Sequence, residues 1–228
     1  IVWKLVPDPP AMVTEGEHLP ARKMLGQVLR DQRLLRLDFG IFALHLALTA
    51  LFIQVPVMLS GRLGLVVNDM WWFYLTVMVT SFFAMVPFII LGEKKRRMKA
   101  VLCGAVALLV LASMALWQWA VTLTAAWFGL FFFFMAFNLL EASLPSLISK
   151  ESPAGAKGTA MGVYSTSQFF GAFLGGAVGG AMAGWAGADG VFGLMVLVLL
   201  AWLVVAGTMA SPRYRDRDGD EFVVELQE

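Results

Sequence analysis

Residues 137–171 read FNLLEASLPSLISKESPAGAKGTAMGVYSTSQFFG. The first part is apolar enough to sit in a bilayer, yet it carries Glu141. Pro145 is expected to end or bend this helix, because proline supplies no N–H and clashes with the preceding turn. A short polar loop, 149–158, follows with Lys150, Glu151 and Lys157. Beyond it a second apolar run opens with Thr159, Ser165, Thr166, Ser167, Gln168 and Gly171. Two crossing helices joined by a small charged hairpin, each with polar groups inside its apolar run, follow the pattern of a transporter rather than of an anchor.

The surrounding chain has the same character. Its 228 residues are 59% hydrophobic and only 14% charged, with a mean hydropathy of +0.76. A water-soluble domain does not carry so many long apolar runs, so the class is a polytopic, all-α membrane protein. A formal net charge of +1 supplies no field for binding nucleic acid. The single cysteine, Cys103, lies in an apolar run and has no partner for an internal disulfide. The chain opens IVWKLVPDPP, without an initiator methionine or signal-peptide pattern, and is expected to be a piece of a longer protein.

Residues 1–36 read as a linker. Pro7, Pro9 and Pro10 favour an extended start. The segment 21–35, ARKMLGQVLRDQRLL, predicts an amphipathic helix along a membrane surface, with its cations near anionic head groups; an ordinary solvated linker is the alternative. Six apolar spans follow, at 39–59, 71–91, 100–116, 120–147, 159–185 and 191–210, within a membrane unit bounded at 37–211. Residues 212–228 form a tail or the start of a further soluble domain.

Orientation follows from the cations in the short connections. Arg22, Lys23, Arg30, Arg33 and Arg36 precede the first span, and Lys94, Lys95, Arg96, Arg97 and Lys99 join the second to the third. Lys150 and Lys157 lie between the fourth and fifth, and Arg213, Arg215 and Arg217 follow the sixth; the other side holds only Arg62. Both ends of the segment are therefore expected in the cytoplasm. The two triplets of spans then have opposite orientation, which permits two inverted three-helix repeats.

The runs LPSLISKESPAGAKGTAMGVYSTSQF, VPFIILGEKKRRMK and LLRLDFGIFALHLALTALF closely resemble the C-terminal half of transporters of the major facilitator superfamily, in a bacterial drug/proton antiporter branch. The resemblance covers about residues 1–212 and implies helices seven to twelve of a twelve-helix fold. It implies a missing N-terminal six-helix half, which in the family carries the main loop motif, a membrane arginine and the antiporter glycine signature. The partners so implied are membrane lipid, that other half, protons and a small-molecule substrate.

An ionisable group kept inside a spanning helix suggests a role. For Glu141 three readings stand. It pairs with Arg96 or Arg97 of the EKKRR loop as a cytoplasmic lock. It binds a proton, as a carboxylate stripped of water can. Or it caps the helix end or meets head groups. His45 is a second proton-exchange candidate, with a neutral ring hydrogen-bonded between helices as the alternative. Asp38 also joins the coupling candidates, although capping of the helix start is its expected duty.

Gln54, Asn138, Tyr164 and Gln168 are uncharged groups able to meet a substrate, and Phe137 suits an apolar one. Gly171, Gly175, Gly176, Gly179 and Gly180 are expected to allow close helix packing. No P-loop, HExxH or clustered nucleophile is present, so neither a cofactor nor a metal is expected and an enzyme is not the reading. The expected function is proton-coupled efflux of lipophilic small molecules by alternating access. Uptake of a sugar or nutrient, and a non-transporting receptor or scaffold, are the rivals.

Overall fold

A computed structural model describes residues 21–94, 97–153, 155–209, 214–215 and 221–222. It is a bundle of long helices: α1 Ala21–Val28, α2 Gln32–Val57, α3 Met70–Lys94, α4 Met98–Trp119, α5 Leu123–Glu151 and α6 Lys157–Gly207. Among the described residues, five helices are long and apolar enough to cross a membrane. The chain is a multi-pass membrane protein.

The last helix makes two crossings. Its 51 residues, at ~1.5 Å each, would run ~77 Å if straight, far beyond a ~30 Å hydrocarbon core. It is broken at Gly187, whose φ of 59° and ψ of −143° lie where residues with a Cβ rarely go. The two spans expected at 159–185 and 191–210 are thus one helical stretch folded back at a single residue.

Side-chain ties show which helix ends lie together. Arg33 Nη1 at the start of α2 meets Glu151 Oε2 at the end of α5, at 3.2 Å. Arg36 Nη1 donates to the Thr208 carbonyl just past α6, also at 3.2 Å. These contacts define a basic end of the bundle. At the far end Trp117 Nε1 donates to Asp189 Oδ1 at 2.7 Å, joining the close of α4 to the fold-back of α6.

Local chemistry sets the boundaries. Asp31 caps α2 by accepting from Arg33 N at 2.8 Å, and Thr122 caps α5 by accepting from Ala125 N at 3.2 Å. The Asp31 cap splits the segment expected to be one helix over 21–35 into α1 and the first turn of α2. Helix α1 also buries Val28 fully and packs Met24 on the core, so it rests on the bundle while Leu25, and Leu29 just past its end, stay exposed. Pro145 does not end α5, which continues to Glu151. Likewise α2 passes through Pro56 and closes with a π-helical turn, Met58–Arg62. Hydroxyls inside the bundle turn back onto their own helices, as Ser143 does to the Leu139 carbonyl at 2.7 Å.

The most extensive packing is α2 against α6. A Cβ at Gly171 or Gly175 would run into the carbonyl oxygens of Phe42 and Leu46, so only glycine permits this approach. Gly179 extends the seam against Ala50 and Ile53. Gly176 makes ordinary contact with the Thr49 methyl, and a Cβ at Gly180 would meet nothing within 4 Å among the described residues. Phe83, Phe169, Phe173, Leu197 and Val204 stay exposed as an apolar outer surface. Past α6, Tyr214–Arg215 and Glu221–Phe222 pair antiparallel as two short strands. The other tail residues and the expected linker 1–20 lie outside the described residues.

Candidate functional site

Three helices bring polar side chains to one place in the bundle. His45 comes from α2, Glu141 from α5 and Gln168 from α6. Gln168 Nε2 lies 2.9 Å from His45 Nε2 and donates to Glu141 Oε1 at 3.2 Å. His45 Nε2 and Glu141 Oε2 are 3.9 Å apart. That second carboxylate oxygen is buried and accepts no hydrogen bond.

An amide nitrogen has two N–H groups and no acceptor. Placed between His45 Nε2 and Glu141 Oε1, the Gln168 nitrogen can donate to both, with Nε2 as the acceptor. His45 Nδ1 lies 3.3 Å from the Ile41 carbonyl oxygen. Thr49 fixes the local helix by donating to the His45 carbonyl at 2.9 Å. Phe137 forms the apolar wall, its ring centroid 5.8 Å from that of His45.

Depth along the helices makes the cluster a line. At ~1.5 Å per residue from the basic end, Asp38 is ~9 Å and Tyr164 ~10 Å inside. Glu141, Gln168 and His45 follow at ~15, ~16 and ~20 Å. The Asp38 side chain therefore does not cap α2, since Asp31 does that and Asp38 lies well within the helix. Asp38 is 5% exposed and Tyr164 3%. Neither Asp38 oxygen and no lone pair or proton of the Tyr164 hydroxyl has a hydrogen-bond partner. Tyr164 lies within electrostatic reach of both Glu141 and Asp38. An ionised carboxylate buried without a partner costs several kcal/mol, about what a protonated one avoids. Glu141 differs: 37% of its side chain is exposed, against 14% for His45.

The remaining candidates are placed elsewhere. Arg97 is exposed at the start of α4, and Glu141 is engaged by Gln168 and His45 rather than by Arg97. Arg96 lies outside the described residues. Asn138 Nδ2 donates to Ser81 Oγ at 3.4 Å and ties α5 to α3. Gln54 lines a cavity of about 280 Å³ at the far end with Arg62, Trp117 and Asp189. The sequence does not show the basic-end ties of Arg33 and Arg36, since counting their charges for orientation, and that of Arg33 for head-group contact, names no protein partner. No set of histidine, cysteine and carboxylate side chains able to hold a metal occurs among the described residues.

Comparison with known proteins gives the site a setting. The model of the Major Facilitator Superfamily matches residues 1–176. The chain is 44% identical over 213 residues to the inner membrane transport protein YajR of Escherichia coli (strain K12), covering 93% of this chain and 46% of that protein. It is 30% identical over 183 residues to the multidrug resistance protein MdtH of Aeromonas salmonicida (strain A449), covering 79% and 45%. An uncharacterized transporter of Buchnera aphidicola subsp. Baizongia pistaciae is 26% identical over 186 residues, covering 79% and 46%. The chain spans somewhat less than half the length of these relatives.

Proposed function

The chain belongs to the major facilitator superfamily, and on that premise we propose that it is the second six-helix half of a proton-coupled transporter that exports lipophilic small molecules. In this reading the basic end faces the cytoplasm, spans one to three and four to six form inverted repeats, and substrate passes between this half and a first one. The observation that carries the proposal is the Gln168 amide held between His45 and Glu141 on three different helices.

The cluster has the chemistry of a proton-dependent latch. A proton added at His45 Nε2 turns that acceptor into a donor facing the Gln168 amide nitrogen, which can only donate. The contact then breaks, and the imidazolium finds its new partner in Glu141 Oε2, which accepts nothing in the present arrangement. A proton added to Glu141 instead removes the charge that strengthens the Gln168 bond. Either way α2, α5 and α6 exchange one set of contacts for another, the condition for biasing a two-state equilibrium. Asp38, in its protonated form, and the Tyr164 hydroxyl serve as stations between this latch and the basic end. One charge crossing 100 mV supplies about 2.3 kcal/mol to drive the cycle.

Names of relatives support the substrate class: one is called a multidrug resistance protein. The test is a proton-flux assay on the intact protein in everted membrane vesicles with an internal pH dye. Addition of lipophilic cations is expected to dissipate the gradient. No dissipation across a broad panel of such cations and neutral drugs, while sugars do produce flux, would replace efflux with nutrient uptake.

A further inference from the structure

A groove of about 510 Å³ runs between α3, α4 and α5, on residues the proton latch does not use. Phe88 and Leu91 form one wall, Met135 and Leu139 the other, and Gly104 and Leu111 belong to the α4 face between them. Among the described residues, Arg97 is the one charged side chain that lines it. The volume is that of an ordinary small-ligand site. Along α4, from Arg97 to Leu111, the groove is ~21 Å long, which spans the ~15 Å depth of one leaflet's hydrocarbon.

We propose that this groove holds one acyl chain of an anionic phospholipid from the leaflet at the basic end, with the Arg97 guanidinium on its phosphate. Two features select this occupant. The lining is aliphatic and aromatic throughout its depth, so it offers a chain no hydrogen bond to lose. The only charge among the described lining residues stands at the mouth, on a connection whose sequence, EKKRRMK, carries five cations. A basic site at the membrane surface beside an apolar slot matches the two ends of an anionic lipid. Arg97 joins no ion pair among the described residues, so its charge is open to a phosphate. The inference rests on membrane insertion and not on the transport reading.

Gly104 provides a direct test, because a Cβ there meets nothing within 4 Å. Gly104→Leu therefore starts from an unobstructed Cβ, puts an isobutyl group into the groove and improves helix propensity. Arg97→Gln removes the charge at an exposed position. The intact protein, purified in detergent, is mixed with synthetic phosphatidylglycerol or phosphatidylcholine and weighed by native mass spectrometry, with circular dichroism as the folding control. Wild type is expected to retain one phosphatidylglycerol at least about fivefold better than phosphatidylcholine. Arg97→Gln is expected to erase that preference, and Gly104→Leu to remove the retained lipid. Equal retention of the two lipids by wild type overturns the proposal, as does unchanged phosphatidylglycerol retention in Gly104→Leu, whether the groove is then empty or covered by protein.

Discussion

His45 Nε2 and Glu141 Oε2 stand 3.9 Å apart across α2 and α5, too far for a hydrogen bond and near enough for a small shift to make one. Gln168 occupies the gap from a third helix. The pair is thus held open by an amide rather than closed as an ion pair. That single fact organises the predictions below.

Gln168→Leu removes both donated bonds while keeping a side chain of similar bulk. It leaves the His45 ring nitrogen and one Glu141 oxygen without their donor, a loss of about 0.5–1.5 kcal/mol for each bond at these part-buried groups. Transport by the intact protein is expected to fall about tenfold or more, since 1.4 kcal/mol is tenfold in a rate or equilibrium. Gln168→Asn, whose amide stops one methylene short, is expected to fall between wild type and leucine. Substrate-dependent proton flux in vesicles measures all three. Equal flux from wild type and Gln168→Leu would remove the amide from the mechanism.

The α2–α6 seam makes a separate prediction about stability. Gly175→Ala drives a methyl group into the Leu46 carbonyl, and neither backbone can yield without parting the helices. The expected cost is about 1–3 kcal/mol. Gly180→Ala, facing open space one turn on, is expected to be neutral or to gain up to about 1 kcal/mol from helix propensity. Thermal unfolding in detergent compares them. Matching melting temperatures would mean that the seam is looser than described.

Asp38 and Tyr164 separate structure from function. Asp38→Asn imitates the protonated acid in shape, and Tyr164→Phe removes a buried hydroxyl that has no partner. Both are expected to leave melting temperature unchanged or slightly raised, while proton flux drops severalfold because a station is lost. A large destabilisation by Asp38→Asn would show that the ionised carboxylate holds the bundle together. Full flux in both variants would show that protons take another route.

Much of this arrangement is legible in the sequence, for reasons particular residues make plain. Apolar length and the distribution of lysine and arginine mark six spans, because a bilayer enforces both. Glu141 and His45 stand out because charge inside an apolar run is rare. What was not legible is who meets whom. Helical spacing assigns Gln168 to a face but not that face to a neighbour, so its meeting with His45 and Glu141 is not readable from the sequence. Asp38 was misplaced for a local reason: the Asp31 cap moves the start of α2 back to Gln32, which carries Asp38 into the interior. Of the two outcomes expected at Pro145, an end or a bend, α5 rules out the end, because a helix inside a packed bundle loses less by continuing through proline than by ending with bare carbonyls.

The central claim is that His45 and Glu141 act as one proton-responsive unit, and a double-mutant cycle measures that most directly. Substrate-dependent proton flux is compared for wild type, His45→Ala, Glu141→Gln and the double variant, all in the intact protein at matched amounts in everted vesicles. The account predicts that the double variant is no slower than the slower single one, since breaking either partner already disables the latch. Fold-losses that simply multiply would contradict it and make the two residues independent.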